Sequence, residues 1–447
     1  MMHKLALLAL LLLLTLPNQA FANPAEEYKE SLHTYLAAAS CMAAYQGRNG
    51  NVMFTALEQE GWMLQAYQKS NVAVDAKFFL MRTTGKDGLP DYLLAVAGTE
   101  SAKDIGADLR WGKIPYGGRT RDEFDAYSQR IDLPQESPKV HKGFHQYVQS
   151  MLALNDEAQK DKRSLIERLR SEPNAKLLIV GHSLGGAAAM LLGARIVDMG
   201  FPVEKLKIIT FGAPPVGNAA FAKTENGKLQ VVRYINRGDP IPYSLVKIVG
   251  GYQHFGTEAE WAVPRSITEH PHSIAAYLDY ALKNYYDKRQ ALEKATKQEV
   301  SLQGVYTPYL KAKGFVAPLQ KELPAELESE FYYMNRIVQD QYWRMFAEHR
   351  RSDENASFSD LVQQAKLQKC DVLLLPKVTA KRVRTEERQY YLTLQLTVYR
   401  VADENLIGDF AYGSNTKEFT PVEALLHNAR SMAQDSANWL HTPIQGK

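Results

Sequence analysis

The stretch KLLIVGHSLGGAAAMLLG, residues 176–193, decides how the rest of the chain is read. Its apolar start, Leu177 to Val180, reads as a short buried strand. Gly181, Gly185 and Gly186 then crowd around Ser183, and an Ala/Leu-rich helix follows, closed by Gly200. Strand, tight turn and helix in this order put one serine on a sharp bend. A backbone strained in that way leaves no room for side chains two positions to either side, and Gly181 and Gly185 meet the demand. Gly186 lets the helix approach the sheet. The helix N-terminus aims backbone N–H groups at the serine, which favours negative charge developing there. Two other readings of the glycines fail. A dinucleotide fingerprint needs Gly-x-Gly-x-x-Gly, and a phosphate loop ends in Gly-Lys-Ser/Thr.

The flanking sequence fits a layered sheet. AKFFLMRTT and DYLLAVAGT read as strands joined by the turn-rich GKDGLP. A long amphipathic helix is expected from residue 143, and LKIITFGAP and LQVVRYINRGDPIP are further strands that end in loops. Strands alternating with helices predict an α/β fold with a mostly parallel sheet. Residues 112–140 are polar, broken by Gly and Pro, and read as a long loop or flap. Residues 286–350 read as a helical connecting segment, rich in charges and aromatics. Residues 351–447 read as a small α+β domain. In it, Leu392, Leu394, Leu396 and Val398 alternate as in a strand, and Thr420 and Glu423 form a capping box with Pro421 at the first helical position.

Composition narrows the classes. The chain has 447 residues, 45% hydrophobic and 23% charged, which suits more than one packed domain. A net charge of +3, with no dense Lys/Arg tract, argues against nucleic acid as a partner. No zinc-like Cys/His spacing occurs, and no metal or other cofactor is expected. Residues 1–22 combine Lys4, an apolar run over 5–16 and the small-x-small site Ala20-Phe21-Ala22. They read as a secretory signal peptide, cut before Asn23, so the protein is expected in the periplasm or outside the cell. Cys41 and Cys370 lie in apolar settings in different expected domains. They read either as a disulfide or as two buried thiols.

A serine hydroxyl needs a base, and the base an orienting acid. On a sheet of this kind the chain order is Ser, then Asp or Glu, then His. Asp239 ends an apolar strand in YINRGDPIP, although a turn-forming Asp before Pro240 reads equally well there. His349, His427 and His441 fall outside the α/β region. His254 reads as structural. His272 opens the helix HSIAAYLDYAL and is the preferred base, with His270 its rival. Oxyanion donors are sought at Leu184, directly after the serine, and at Thr99, at the end of an earlier strand; each is worth roughly 3–4 kcal/mol to a transition state.

GTESAKDIGADL, VHKGF, VGHSLGG, TFGAPPVGN, NRGDPIP and HSIAAYL occur in this order between residues 28 and 285. Together they resemble the class 3 lipases of the α/β-hydrolase fold. The resemblance implies Ser183 as nucleophile, Asp239 as orienting acid, His272 as base, Thr99 and Leu184 as oxyanion donors, and residues 112–140 as a lid. His182 matches the motif as structural support. Ala97 stands where the family commonly has Arg, and Ile105 where it has an aromatic. The implied activity is hydrolysis of a lipid or acyl ester by a carboxylic ester hydrolase in transient contact with a membrane surface. The polar lid leaves lipase, esterase and phospholipase open. Residues 351–447 resemble small α+β partner-binding domains of bacterial envelope proteins, which implies an envelope protein partner. Two other readings stay open: a binding or scaffold protein that works through that domain, and an acyltransferase using the same three residues.

Overall fold

A computed structural model describes residues 23–45, 47–59, 61–68, 77–83, 90–98, 112–152, 164–262, 270–300, 310–352, 356–383, 389–417 and 419–444. The expected signal peptide and Thr99 lie outside these residues. The first sheet has seven strands: β1 (Trp62–Gln68), β2 (Phe78–Thr83), β3 (Tyr92–Val96), β6 (Leu177–His182), β7 (Leu206–Phe211), β8 (Gln230–Asn236) and β9 (Thr257–Trp261), adjacent in that order. The first two pairings are antiparallel and the other four parallel. β4 (Lys113–Pro115) and β5 (Lys139–His141) form a separate two-stranded ribbon.

Both faces of the large sheet are covered, and β6 is therefore buried along its whole length and apolar from Leu177 to Val180. Leu177 and Ile179 face a core shared with α2 (Leu184–Asp198). Leu178 and Val180 face the opposite core, built with α1 (Pro24–Ala44) and α3 (Ile274–Thr296). The alternation inside one continuous apolar run assigns each residue to a layer.

Residues 112–140, expected as a long loop or flap, hold regular structure. β4 and β5 close the segment at its ends, and a helix, Arg121–Ser128, is capped by Thr120. Phe124 is fully buried. The cause is Arg195 on α2, itself buried, whose guanidinium lies 3.9 Å from the ring centroids of both Tyr116 and Phe124. Its Nη1 donates to the Gly117 carbonyl at 2.9 Å, and the Tyr116 hydroxyl donates to Asp198 at 2.5 Å. A desolvated cation between two rings is worth about 2 kcal/mol. Polar composition hid this anchor, because its partner lies far along the chain.

The second sheet also departs from expectation. Residues 286–350 are not simply helical. They contain β10 (Leu310–Val316), β11 (Gln320–Glu322), a short 3-10 helix, α4 (Phe331–Trp343) and β12 (Phe346–Arg351). β10, β11 and β12 join β13 (Val372–Arg382), β14 (Tyr390–Arg400) and β15 (Leu406–Asn415) in a six-stranded sheet. β12 and β11 are short and charged, as edge strands tend to be, so their sequences resemble helix surface. α5 (Pro421–Ile444) covers one face, and Leu392, Leu394, Leu396 and Val398 all point into that core. Cys41 and Cys370 are free, buried thiols.

α3 joins the two sheets and runs straight through residue 285, the expected domain edge. The Thr420 hydroxyl donates to Asp279 at 2.6 Å, and Lys283 bridges Asp279 and Glu330 at 2.6 and 2.5 Å. Arg289 pairs with Asp340 at 2.6 Å, and Arg336 with Glu293 at 3.0 Å. The capping-box Glu423 accepts from the Thr420 N–H at 3.0 Å and is fully buried; desolvation, with Asp279 beside it, pushes its carboxyl well above the usual range.

Candidate active site

Ser183 sits between the end of β6 and the start of α2 with φ 57° and ψ −132°. A non-glycine residue held there costs about 1–3 kcal/mol, a strain that persists only where the surroundings enforce it. Here the Ser183 N–H donates to the Phe211 carbonyl at 2.9 Å. A Cβ on Gly181 would lie 2.7 Å from the Gly186 nitrogen, and one on Gly185 would lie 2.5 Å from the Ala97 carbonyl carbon. The turn closes only without those atoms.

Three side chains meet at this turn. The Ser183 hydroxyl lies 2.9 Å from His272 Nε2. His272 Nδ1 lies 2.8 and 2.9 Å from the two oxygens of Asp239. Asp239 follows β8, and His272 precedes α3. The sheet thus delivers each group from the carboxyl end of a strand or the loop beyond it, where α/β folds place their sites. His270, the rival base, is exposed on the same loop, and its carbonyl accepts from the Ser273 N–H at 2.8 Å. His254 donates through Nε2 to the Pro242 carbonyl at 2.7 Å, and burial lowers its pKa to about 4. His349 and His427 stack on Trp343 and Phe419 in the second sheet's region.

Asp239 is 3% exposed, so its charge needs donors. Besides His272 it accepts from the Ile241 N–H at 2.9 Å and the Tyr277 hydroxyl at 2.6 Å. Tyr277 itself accepts the Asn236 N–H at 3.0 Å. Burial and the adjacent Asp239 raise the pKa of this phenol well above its ordinary value, which keeps it a donor. Leu184 occupies the first position of α2, where backbone N–H groups have no intrahelical partner. In an imidazole gripped on one side by a carboxylate and on the other by a hydroxyl, the free nitrogen can take the hydroxyl proton.

Sequence reasoning gave no role to Tyr277 or Gly212. Gly212 has φ 58°, and a Cβ there would lie 2.5 Å from Asp239 Oδ2 and 3.0 Å from both His272 Nδ1 and the Tyr277 oxygen. TFGAP stood out only as a motif; the need for glycine appears when three chain segments converge over it. Gly212→Ala is expected to push Asp239 aside and lower kcat by about 100-fold with a smaller change in KM, the scale of a 1 Å misplacement. Steady-state kinetics, with a melting curve to confirm folding, check this.

Residues 93–247 match the sequence model of the family "Lipase (class 3)". The secreted mono- and diacylglycerol lipase A of Penicillium cyclopium is 35% identical over 106 residues, which is 24% of this chain and 34% of that protein. The toxin TseL of Vibrio cholerae is 36% identical over 118 residues, 25% of this chain and 16% of that protein. The chain thus spans about a third or less of the length of these relatives. Among solved structures, the Rhizomucor miehei triacylglyceride lipase aligns with a TM-score of 0.40 at 20% identity, over 52% of this chain and 80% of that one. The matched residues, 93–247, hold the serine turn, Gly212 and Asp239, so the likeness to the class 3 lipase family covers two of the three side chains that meet there.

Proposed function

We propose that this protein is a serine carboxylester hydrolase that cleaves acyl esters of lipids through an acyl-serine intermediate. The observation that carries the reading is the unbroken chain from Ser183 Oγ to His272 to Asp239 at 2.9 and 2.8 Å. In it, Ser183 Oγ attacks the ester carbonyl as its proton passes to His272 Nε2. The C–O bond to the alcohol breaks, and the alcohol leaves with that proton. Water then attacks the acyl group, gives a proton to His272, and the acid departs as Ser183 regains its hydrogen. Asp239 holds the tautomer and stabilises the imidazolium. The Leu184 N–H, with Thr99, completes the assignment as oxyanion donor. The apolar run and small-x-small site of residues 1–22 support export to the periplasm or beyond. The buried ion pairs on α3 support a buttressing role for the second sheet.

The test is a fluorophosphonate probe on the mature protein, followed by p-nitrophenyl esters of increasing acyl length. Ser183 is expected to carry the label, and the chain-length profile assigns the substrate class. A folded protein that takes no label at Ser183 overturns the reading.

A further inference from the structure

We propose that Tyr45 and His182 form a positioning pair that fixes the His272 loop against the serine turn. The inference rests on the reading of Ser183, His272 and Asp239 as the reacting groups. His182 is the last residue of β6, directly before Ser183, and is buried. Its Nε2 lies 2.7 Å from the backbone carbonyl oxygen of His272. A carbonyl only accepts, so Nε2 carries the hydrogen. Nδ1 then has a lone pair, and the Tyr45 hydroxyl, 2.7 Å away, donates to it. Two hydrogen bonds therefore select one tautomer of one ring.

That ring also sits beside the base. The centroids of His182 and His272 are 4.7 Å apart. Desolvation, and then the neighbouring His272, hold the His182 pKa well below its ordinary value. A neutral His182 places no positive charge next to an imidazolium forming on His272, where a like charge would oppose it. The pair thus ties down the base loop through its backbone without an electrostatic penalty on its side chain.

Tyr45 extends the clamp to a third segment. It ends α1, and its hydroxyl occupies the space that a Cβ on Gly98 would need. The same Cβ would lie 2.7 Å from the His182 carbonyl and 3.1 Å from Ser183 Cβ. The chain leaving β3, the serine turn and the His272 loop all converge on this pair. A role confined to satisfying buried polar groups would predict loss of stability on substitution, in proportion to any loss of activity.

The experiment compares Tyr45→Phe, His182→Leu and His182→Gln in the full mature chain. It reads kcat and KM on p-nitrophenyl butyrate, the melting midpoint, and the far-downfield proton resonance of the His272–Asp239 hydrogen bond. Loss of one hydrogen bond in Tyr45→Phe is expected to lower kcat about 3- to 10-fold with KM within about twofold. Its downfield resonance should shift or broaden while the melting midpoint holds. His182→Leu removes the donor to the part-buried His272 carbonyl and is expected to lose about 10- to 100-fold in kcat. His182→Gln keeps an amide donor and should recover most of that loss. Wild-type kcat and an unmoved resonance in Tyr45→Phe overturn the proposal. So does His182→Gln failing to exceed His182→Leu with activity loss tracking melting. Should His182→Leu not fold, Tyr45→Phe and His182→Gln decide. The resonance exists without turnover, so it reports on positioning even if Ser183 takes no fluorophosphonate and the hydrolase reading fails.

Discussion

Ser183→Ala lowers kcat/KM for p-nitrophenyl butyrate by about a hundred-thousand-fold or more, with no loss of thermal stability. The two expectations have separate causes. The hydroxyl is the only atom removed, and in the proposed reaction it forms the new covalent bond. His272 and Asp239 have no other atom to activate in its place. Residual rate over water would come from backbone donors at the start of α2 and from substrate binding, as in other triads stripped of a member. The fold does not depend on the hydroxyl. The Ser183 backbone makes its hydrogen bond to Phe211 through the N–H, and alanine bears the same φ of 57° at similar strain. Ester hydrolysis read in parallel with a melting curve checks both. Activity within about tenfold of wild type would rule out the covalent route.

Asp239→Asn is expected to lower kcat/KM by about ten-thousand-fold, again in a folded protein. The loss arises from the direction of a proton. Asp239 presents acceptors to three donors: His272 Nδ1, the Tyr277 hydroxyl and the Ile241 N–H. An asparagine has one acceptor oxygen and one NH2 group. If the NH2 faces His272, it donates to Nδ1 and moves the ring hydrogen to Nε2, where it blocks proton transfer from Ser183. If the NH2 takes the place of Oδ1 it also meets the Ile241 N–H, and two donors collide in a buried site. Fluorophosphonate labelling should slow alongside ester turnover, because both need the same tautomer. Labelling at the wild-type rate would remove Asp239 from the chemistry.

The serine turn was legible because steric demand writes itself into sequence. A residue at positive φ with backbone packed on both sides forces glycines at 181 and 185, and a strand buried on both faces forces the run from Leu177. Asp239 and His272 were legible through chain order and their places after β8 and before α3. Gly212, Tyr277 and Tyr45 were not, because their contacts exist only where distant segments meet; Tyr45 and His182 are 137 positions apart. The same limit explains residues 112–140, whose Gly, Pro and charges read as a loop while Arg195 supplied the packing from another helix. In the second sheet, β14 announced itself by alternation. LKAKGFV and FAEHRR did not, since each is apolar only where it enters the core.

The ion pairs along α3 carry a consequence for the fate of the whole polypeptide. Ending the chain after Arg289 would strip Lys283 of Glu330 and Arg289 of Asp340, leaving cations unpaired on one piece and carboxylates on the other. Breaking a buried pair by removing one partner costs about 3–5 kcal/mol, a large share of what holds a domain folded. Each half made alone is expected to melt at a lower temperature than the full chain. The second sheet and the serine turn are therefore expected to unfold together, as one transition in a melting curve.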